Sequence, residues 1–413
     1  MRNRKILKSL LIIAISLVVF IIIYLVVENL VPVIGKNVKR YTSEPVENSN
    51  LSNNEIKEIL YEDKQKLIQL YPNAVIKGKV YYDVYGKKVY EDDVYLDLSN
   101  VSIDQNFVRK LMLLTNIKEV NLNNQQLTKN EKIAIQETFP NIKFKWKIDI
   151  LGENVESDIE TLDLSNRTIT DIEDLKKSLK LLKNLKKIDF SNSNLTNEQL
   201  GNLRTEFPNI KIDWVVHLGK WSLRTDSVAF SVLIVDYNYK RMTSNDIQVL
   251  KYCTELQALD LGHQAIEDIS VIGEYLPNLR VLILADNKIK DISPLANLKH
   301  LHYLELFMNN ITDVTPLAAC TEMVDLNISF NYRFSNIDGI LNFPLLERLW
   351  LISDNISSDS YKTIRDTYPN VKLVTTGSGS TNSGWRTHSR YYAMIDMYRN
   401  NYMSDEFSKY DNK

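Results

Sequence analysis

Over its second half the chain alternates short apolar strands with polar turns at a nearly constant step. Leu259, Leu282, Leu304, Leu326 and Leu349 follow one another at intervals of 23, 22, 22 and 23 residues. The run Leu-Ile-Leu-Ala-Asp-Asn-Lys-Ile-Lys-Asp-Ile-Ser-Pro-Leu from residue 282 returns from residue 304 as Leu-Glu-Leu-Phe-Met-Asn-Asn-Ile-Thr-Asp-Val-Thr-Pro-Leu. Alternate leucines such as Leu304 and Leu306 mark one face of a short strand, so they point inward and the residues between them point out. Asn309 then turns the chain, and its side-chain amide can donate to the free carbonyls of the bend. Ile311, Val314 and Leu317 return to the core on the far side, where Pro316 suits a short helical turn. One such unit cannot bury its own apolar face, so neighbouring units must stack.

A second, longer period lies upstream. Tyr71-Pro72-Asn73, Phe139-Pro140-Asn141 and Phe207-Pro208-Asn209 stand 68 residues apart. Each is followed by an alternating strand, as in Ile142, Phe144, Trp146 and Ile148, and each unit has a glycine turn, at Gly86, Gly152 or Gly219. Thr128 with Glu131, and Thr196 with Gln199, have the spacing of capping boxes and predict genuine helices opposite the strands. The aromatic-Pro-Asn signature returns at Tyr368, after a helical pattern over Ser358–Thr367.

These letters resemble those of leucine-rich repeat proteins over residues 94–375, and residues 256–356 are similar to the short repeats of bacterial internalin-like surface proteins. The segments 289–295 and 311–317 carry that likeness. The resemblance implies an α/β fold, a curved leucine-rich repeat solenoid with a parallel sheet on its concave face, that binds a protein or glycan partner; that the chain is not an enzyme is expected separately, from the thin catalytic signals in its residues. Those surface proteins often end in a wall-sorting signal, which Tyr410-Asp411-Asn412-Lys413 does not resemble.

The anchor is therefore expected at the other end. Residues 9–27 form 19 positions without a charge, enough at about 1.5 Å per residue to span roughly 30 Å of hydrocarbon. Arg2, Arg4, Lys5 and Lys8 precede this run, against Lys36, Lys39 and Arg40 after it, which places the N-terminus in the cytoplasm and the remainder outside the cell. A cleaved signal peptide is the alternative, although the apolar run exceeds its usual core length. The expected order is a cytoplasmic stretch (1–8), a single-pass transmembrane signal anchor (9–31), a polar linker (32–50), and a cap helix with a first strand (51–93). Long-unit repeats (94–255) and short repeats with a closing unit (256–376) follow. In the cap, Ser52 and Glu55 have capping-box spacing ahead of Ile56, Ile59, Leu60 and Leu67. Residues 377–413 comprise a Gly/Ser stretch, flexible by composition, and an aromatic amphipathic helix over 386–402.

A net charge of −2 over 413 residues lacks the basic excess that nucleic acid requires. The lysines from Lys176 to Lys187 spread around a helix and the next strand, as a solvated surface does; an anionic polymer or headgroup is the other reading. Cys253 and Cys320 occupy equivalent positions three repeats apart, on the order of 14 Å, too far for a disulfide. They read as small core residues. His217, His263, His300, His302 and His388 show no zinc spacing, and His300 with His302 reads as solvent-facing. Neither a nucleophile elbow nor a phosphate loop is present, and no cofactor is expected.

The outward strand positions differ between the two halves. Early repeats present Asp163, Ser165, Asn166, Asp189, Ser191 and Asn192. Later ones present an apolar, aromatic set, of which Tyr303, Phe307, Met308, Phe330 and Trp350 are the candidate ligand-binding patch. The competing expectation is that the final segment, with Trp385, Tyr391, Tyr392, Met394, Ile395 and Tyr398, folds back over this patch. The function expected is a recognition module binding a protein or a cell-envelope polymer. A structural or adhesive envelope role and a cytoplasm-facing regulator are the alternatives.

Overall fold

A computed structural model describes residues 58–72, 75, 78–232 and 240–411. The expected transmembrane segment, the linker after it and the Ser52–Glu55 capping box lie outside these residues. Among the described residues, no helix is long and apolar enough to cross a membrane. The chain divides into two compact units, Met1–Tyr81 and Tyr82–Lys413. In the first, the strand Glu58–Leu60 pairs in parallel with residues 79–81 and leads directly into the helix Tyr61–Leu70. Ile59 and Leu60 therefore belong to a strand and not to the amphipathic helix expected from residue 56.

The second unit is a stack of parallel strands on one side and helices or turns on the other. Strands Tyr95–Asp97, Glu119–Asn121 and Lys143–Lys145 form one sheet, and Thr161–Asp163, Lys187–Asp189 and Lys211–Asp213 form a second. Seven strands form a third, with Ala229–Ser231, Ala258–Asp260, Val281–Ile283, Tyr303–Glu305, Asp325–Asn327, Arg348–Trp350 and Lys372–Val374 in that order. Every pairing in this sheet aligns equivalent residues, so Leu259, Leu282, Leu304, Leu326, Leu349 and Leu373 form one row. That row points into a continuous apolar core running from Val84 to Ile364.

The 68-residue period reports an insertion between sheets. After each Phe-Pro-Asn the chain adds a sheet strand and then an antiparallel hairpin, Lys147–Ile150 with Glu153–Glu156 and Val215–Leu218 with Trp221–Arg224. Leu151 (φ 52°) and Gly152 (φ 85°) make the first of these turns in the left-handed region, the backbone that a two-residue hairpin loop favours. The inward residues run unbroken from sheet strand to hairpin: Ile142, Phe144, Trp146, Ile148 and Ile150 are all buried.

Opposite the strands, the long units carry true helices. Thr128 and Thr196 cap Lys129–Thr138 and Asn197–Glu206 with complete capping boxes, as the spacing predicts. Ser358–Thr367 is a helix over the expected residues. The short repeats carry shorter elements, a six-residue helix Ser270–Tyr275 and the 3-10 turns Ser293–Asn297 and Thr315–Ala319, the last two with proline at their start. Between strand and turn runs an asparagine ladder. Asn309 Nδ2 donates to the carbonyls of Leu284 (2.9 Å) and Leu306 (3.0 Å), and its Oδ1 accepts from the Ile289 amide (3.0 Å). Asn287 and Asn331 repeat the arrangement. Both cysteines are free and buried, their thiols pushed up to about 12 by desolvation, which fits the core role expected of them.

Candidate functional site on the outer strand face

The outward side of the seven-stranded sheet carries a second apolar cluster, separate from the solenoid core. Ala258, Val281, Ile283, Tyr303, Phe307, Trp350 and Ile352 come from the strands, and Trp385, Met394, Met397 and Phe407 from the C-terminal segment. That segment runs from residue 377 along the sheet, forms the helix Ser389–Asn400 and ends in a short helix, Asp405–Ser408. Of the two expectations for the aromatic stripe, the fold-back is the one observed. Tyr303 and Trp350 are fully buried and Phe307 is nearly so, Phe330 lies half-buried at the edge, and Met308 remains 47% exposed. The helix is shorter than expected from 386–402, because Trp385, Arg386 and Thr387 lie in the turn ahead of it.

The Gly/Ser stretch is not a free linker either. Asn327 Nδ2 donates to the Ser380 carbonyl (2.8 Å), Trp350 Nε1 to that of Asn382 (2.9 Å), and Lys372 Nζ to that of Ser383 (2.7 Å). Small residues let the backbone lie close enough to the strands to use its own carbonyls, a role that composition does not distinguish from flexibility.

Aromatic rings hold the middle of the contact. The Trp385 ring stands 5.0 Å from that of Trp350 and 5.2 Å from that of Tyr303, with the Arg348 guanidinium 4.5 Å above it. Such ring pairs contribute about 0.5–1.5 kcal/mol each beyond the area they bury. Trp385 Nε1 donates to Glu305 Oε1 (2.7 Å), and the Tyr303 hydroxyl donates to the same oxygen. Burial, and then the charge of Glu305, push the Tyr303 phenol well above its ordinary value.

Beside the rings sits a buried ionic cluster that the sequence reading missed. Asp325 is fully buried and accepts bidentate hydrogen bonds from Arg348 (2.7 and 2.7 Å) and from Arg390 of the C-terminal helix (2.6 and 2.7 Å). Arg390 also meets Glu347 at 2.7 Å, so two anions and two cations close the cluster. Burial opposes the charge on Arg390, but the hydrogen bonds it donates to Asp325 and Glu347, and its attraction to them, outweigh it, and its pKa rises. Tyr410 joins by donating to Glu347 (2.8 Å), and burial followed by that bond pushes its phenol up to about 12. The available signal was complementarity. Glu305 and Asp325 stand at outward positions between aromatic ones, and the aromatic segment of the tail carries Arg386 in the turn before its helix and Arg390 in the helix's first turn.

His302 departs from the solvent-facing role expected of it. It is fully buried under the Tyr410 ring (5.7 Å), whereas His300 is half exposed. Of the lysines from Lys176 onward, Lys177, Lys180, Lys183 and Lys186 are exposed, whereas Lys176 is largely covered and lies between Glu173 and Glu206, both at 2.9 Å; Lys186 meets Glu160 at 2.9 Å.

The stacked strands and asparagine ladder are those of leucine-rich repeats, and residues 277–319 match the family model for leucine-rich repeats in two copies. No curated protein sequence matches the chain. Among solved structures, internalin C2 from Listeria monocytogenes is similar at 24% identity over 55% of this chain and 86% of its own, with a TM-score of 0.29. An internalin F from Listeria monocytogenes shares 19% identity over 77% and 90% (TM-score 0.33), and a leucine-rich repeat protein of Leptospira interrogans 18% over 64% and 74% (TM-score 0.31).

Proposed function

We propose that the chain is a non-enzymatic leucine-rich repeat recognition module, held in the cell membrane by residues 9–31 with its solenoid outside, and that the outer face of the seven-stranded sheet is where it binds a protein or cell-envelope ligand. The carrying observation is that this face already accommodates a peptide, the chain's own tail, through an indole set between Tyr303 and Trp350 and an arginine set on Asp325. A central aromatic pair beside a fully desolvated charge is the make-up of an interface hot spot. Met308, half-buried Phe330 and exposed Tyr332 extend the patch beyond the tail's edge, where a partner could begin to compete.

Exchange of the tail tests this reading. With a protease site inserted between Thr376 and Gly377, the cleaved full-length chain is mixed with a labelled peptide of residues 384–411. Saturable uptake of the peptide, lost when its Arg390 is replaced by Ala, is expected of a recognition face. A tail that neither leaves nor exchanges under native conditions would make the contact a permanent cap and remove the face from consideration. Protease accessibility of the solenoid on intact cells, with the protein retained in the membrane fraction, tests the topology. Protection from protease would overturn it.

A further inference from the structure

We propose that His302, Glu322 and Asp411 form a binding site for one divalent transition-metal ion, zinc being the best match, which fastens the end of the tail to the sheet. This inference depends on the docking of the tail and not on its displacement by a partner. His302 opens the strand Tyr303–Glu305, Glu322 lies in the turn before the next strand, and Asp411 is near the end of the tail. His302 Nε2 is 3.1 Å from Glu322 Oε2 and 3.7 Å from Asp411 Oδ1, and the three donor atoms all lie within 4.8 Å of one another. Zinc held at about 2.0–2.2 Å by a tetrahedral set keeps its ligand atoms about 3.4 Å apart, so the two shorter separations already bracket the required spacing.

The protein alone leaves this arrangement incomplete. An imidazole has a single Nε2 proton to offer, and two carboxylates converge on that nitrogen. Glu322 is within hydrogen-bond distance and Asp411 is not, so Asp411 turns to Arg280, which meets it at 2.6 Å. Two carboxylates against one guanidinium leave a negative surplus around a fully buried imidazole. Nδ1 of that imidazole has no hydrogen-bond partner among the described residues, so the ring is oriented from its Nε2 side and by Tyr410. A dication would satisfy both carboxylates and the nitrogen at once. His300 Nδ1, 3.2 Å from the same Glu322 oxygen, is placed to complete or support the set. Nitrogen with carboxylate oxygen favours zinc, nickel or cobalt over calcium and magnesium, which take oxygen throughout. The Glu322 and Asp411 side chains are 18% and 22% exposed, which leaves an entry path.

The test uses the full-length, tag-free chain stripped with a chelator and titrated with zinc by calorimetry and with cobalt by visible absorption. One equivalent is expected at micromolar affinity or tighter. Glu322→Gln and Asp411→Asn, both on partly exposed side chains, should each weaken binding by about tenfold or more, with the circular dichroism unchanged; His302→Gln should abolish it. Zinc should also slow trimming of the C-terminus past Asp411 by a serine carboxypeptidase, in the wild type and not in Glu322→Gln. No stoichiometric binding, or binding undiminished in both carboxylate variants, overturns the proposal.

Discussion

The sheet of Thr161–Asp163, Lys187–Asp189 and Lys211–Asp213 and the sheet around Tyr303–Glu305 share one backbone plan and carry different outer surfaces. Both turn an apolar residue inward at the middle of each strand, Ile188 in the first and Leu304 in the second, each fully buried. Outward, the first sheet shows Lys187, Asp189 and Lys211. Their ion pairs to Asp226 (3.2 Å), Arg224 (2.9 Å) and Glu255 (2.7 Å) stay partly open to solvent. Such partly solvated pairs contribute about 0–1 kcal/mol each; Asp213, beside Lys187 and Arg204, is the one outward acid of this sheet that is buried. The second shows Tyr303, Asp325 and Trp350 at positions of the same kind, and all three are fully buried beneath the tail. The inward letters make the solenoid; the outward letters decide which part of it becomes a binding surface.

The largest expected effect is at Asp325. Asp325→Ala leaves the Arg348 and Arg390 guanidiniums facing each other in a buried site, which costs about 3–5 kcal/mol for a broken buried pair. Urea unfolding and protease release of residues 377–411 measure it. A loss below about 1 kcal/mol would mean that the buried carboxylate behaves like the exposed ones of the first sheet, and the contrast between the two surfaces would fail.

A smaller effect, of opposite sign, is expected where the ladder ends. Asp354 follows Asn287, Asn309 and Asn331 at the same repeat position, and it accepts from the Asn331 amide (2.9 Å) through Oδ1. Its other oxygen is buried without a partner, and desolvation pushes the carboxyl up to about 8. The folded state therefore keeps a proton that the unfolded chain gives up near pH 4. Stability should fall as the pH rises from about 4 to about 8 and level off above that, since only the folded state is protonated in that window. Asp354→Asn supplies the missing amide donor. It should stabilise the protein by about 2–4 kcal/mol at pH 7 and remove this slope. Thermal unfolding of both chains at pH 5 and pH 8 checks it, and an equal slope in the two would reject the assignment.

How far the sequence could be read follows the same division. Period and alternation located every strand of the short repeats, the Thr128 and Thr196 capping boxes, the proline turns and the ladder, because each is a local pattern repeated against itself. The aromatic outward set was legible for the same reason, since its register follows from the leucines. What covered it was legible only as one of two open readings, without its contacts. Tyr303 and Trp385 are 82 residues apart in sequence, and nothing periodic links them. His302 read as a solvent-facing residue, and Asp325 and Arg348 drew no reading at all, because a charged or imidazole side chain at an outward position is normally solvated and only the returning tail buries them. The residues 377–384 misled through composition, their backbone being tied down by carbonyls that any residue possesses.

The smallest expected effect is the control for the whole comparison. Asp163 stands across the strand pairing from Asp189, remains exposed, and spends its carboxylate on the Ser165 amide two residues on (2.8 Å). That bond holds its carboxyl below the ordinary value, first through the Ser165 hydroxyl and then through the amide. No other element leans on the residue, and the freed amide can turn to water. Asp163→Ala should therefore change stability by no more than about 0.5 kcal/mol, as surface substitutions usually do, and leave protease release of the tail as it is in the wild type. A loss approaching that of Asp325→Ala would show that the polar strand face also carries an essential contact. The distinction between a scaffold surface and a binding surface would then have to rest on something other than burial.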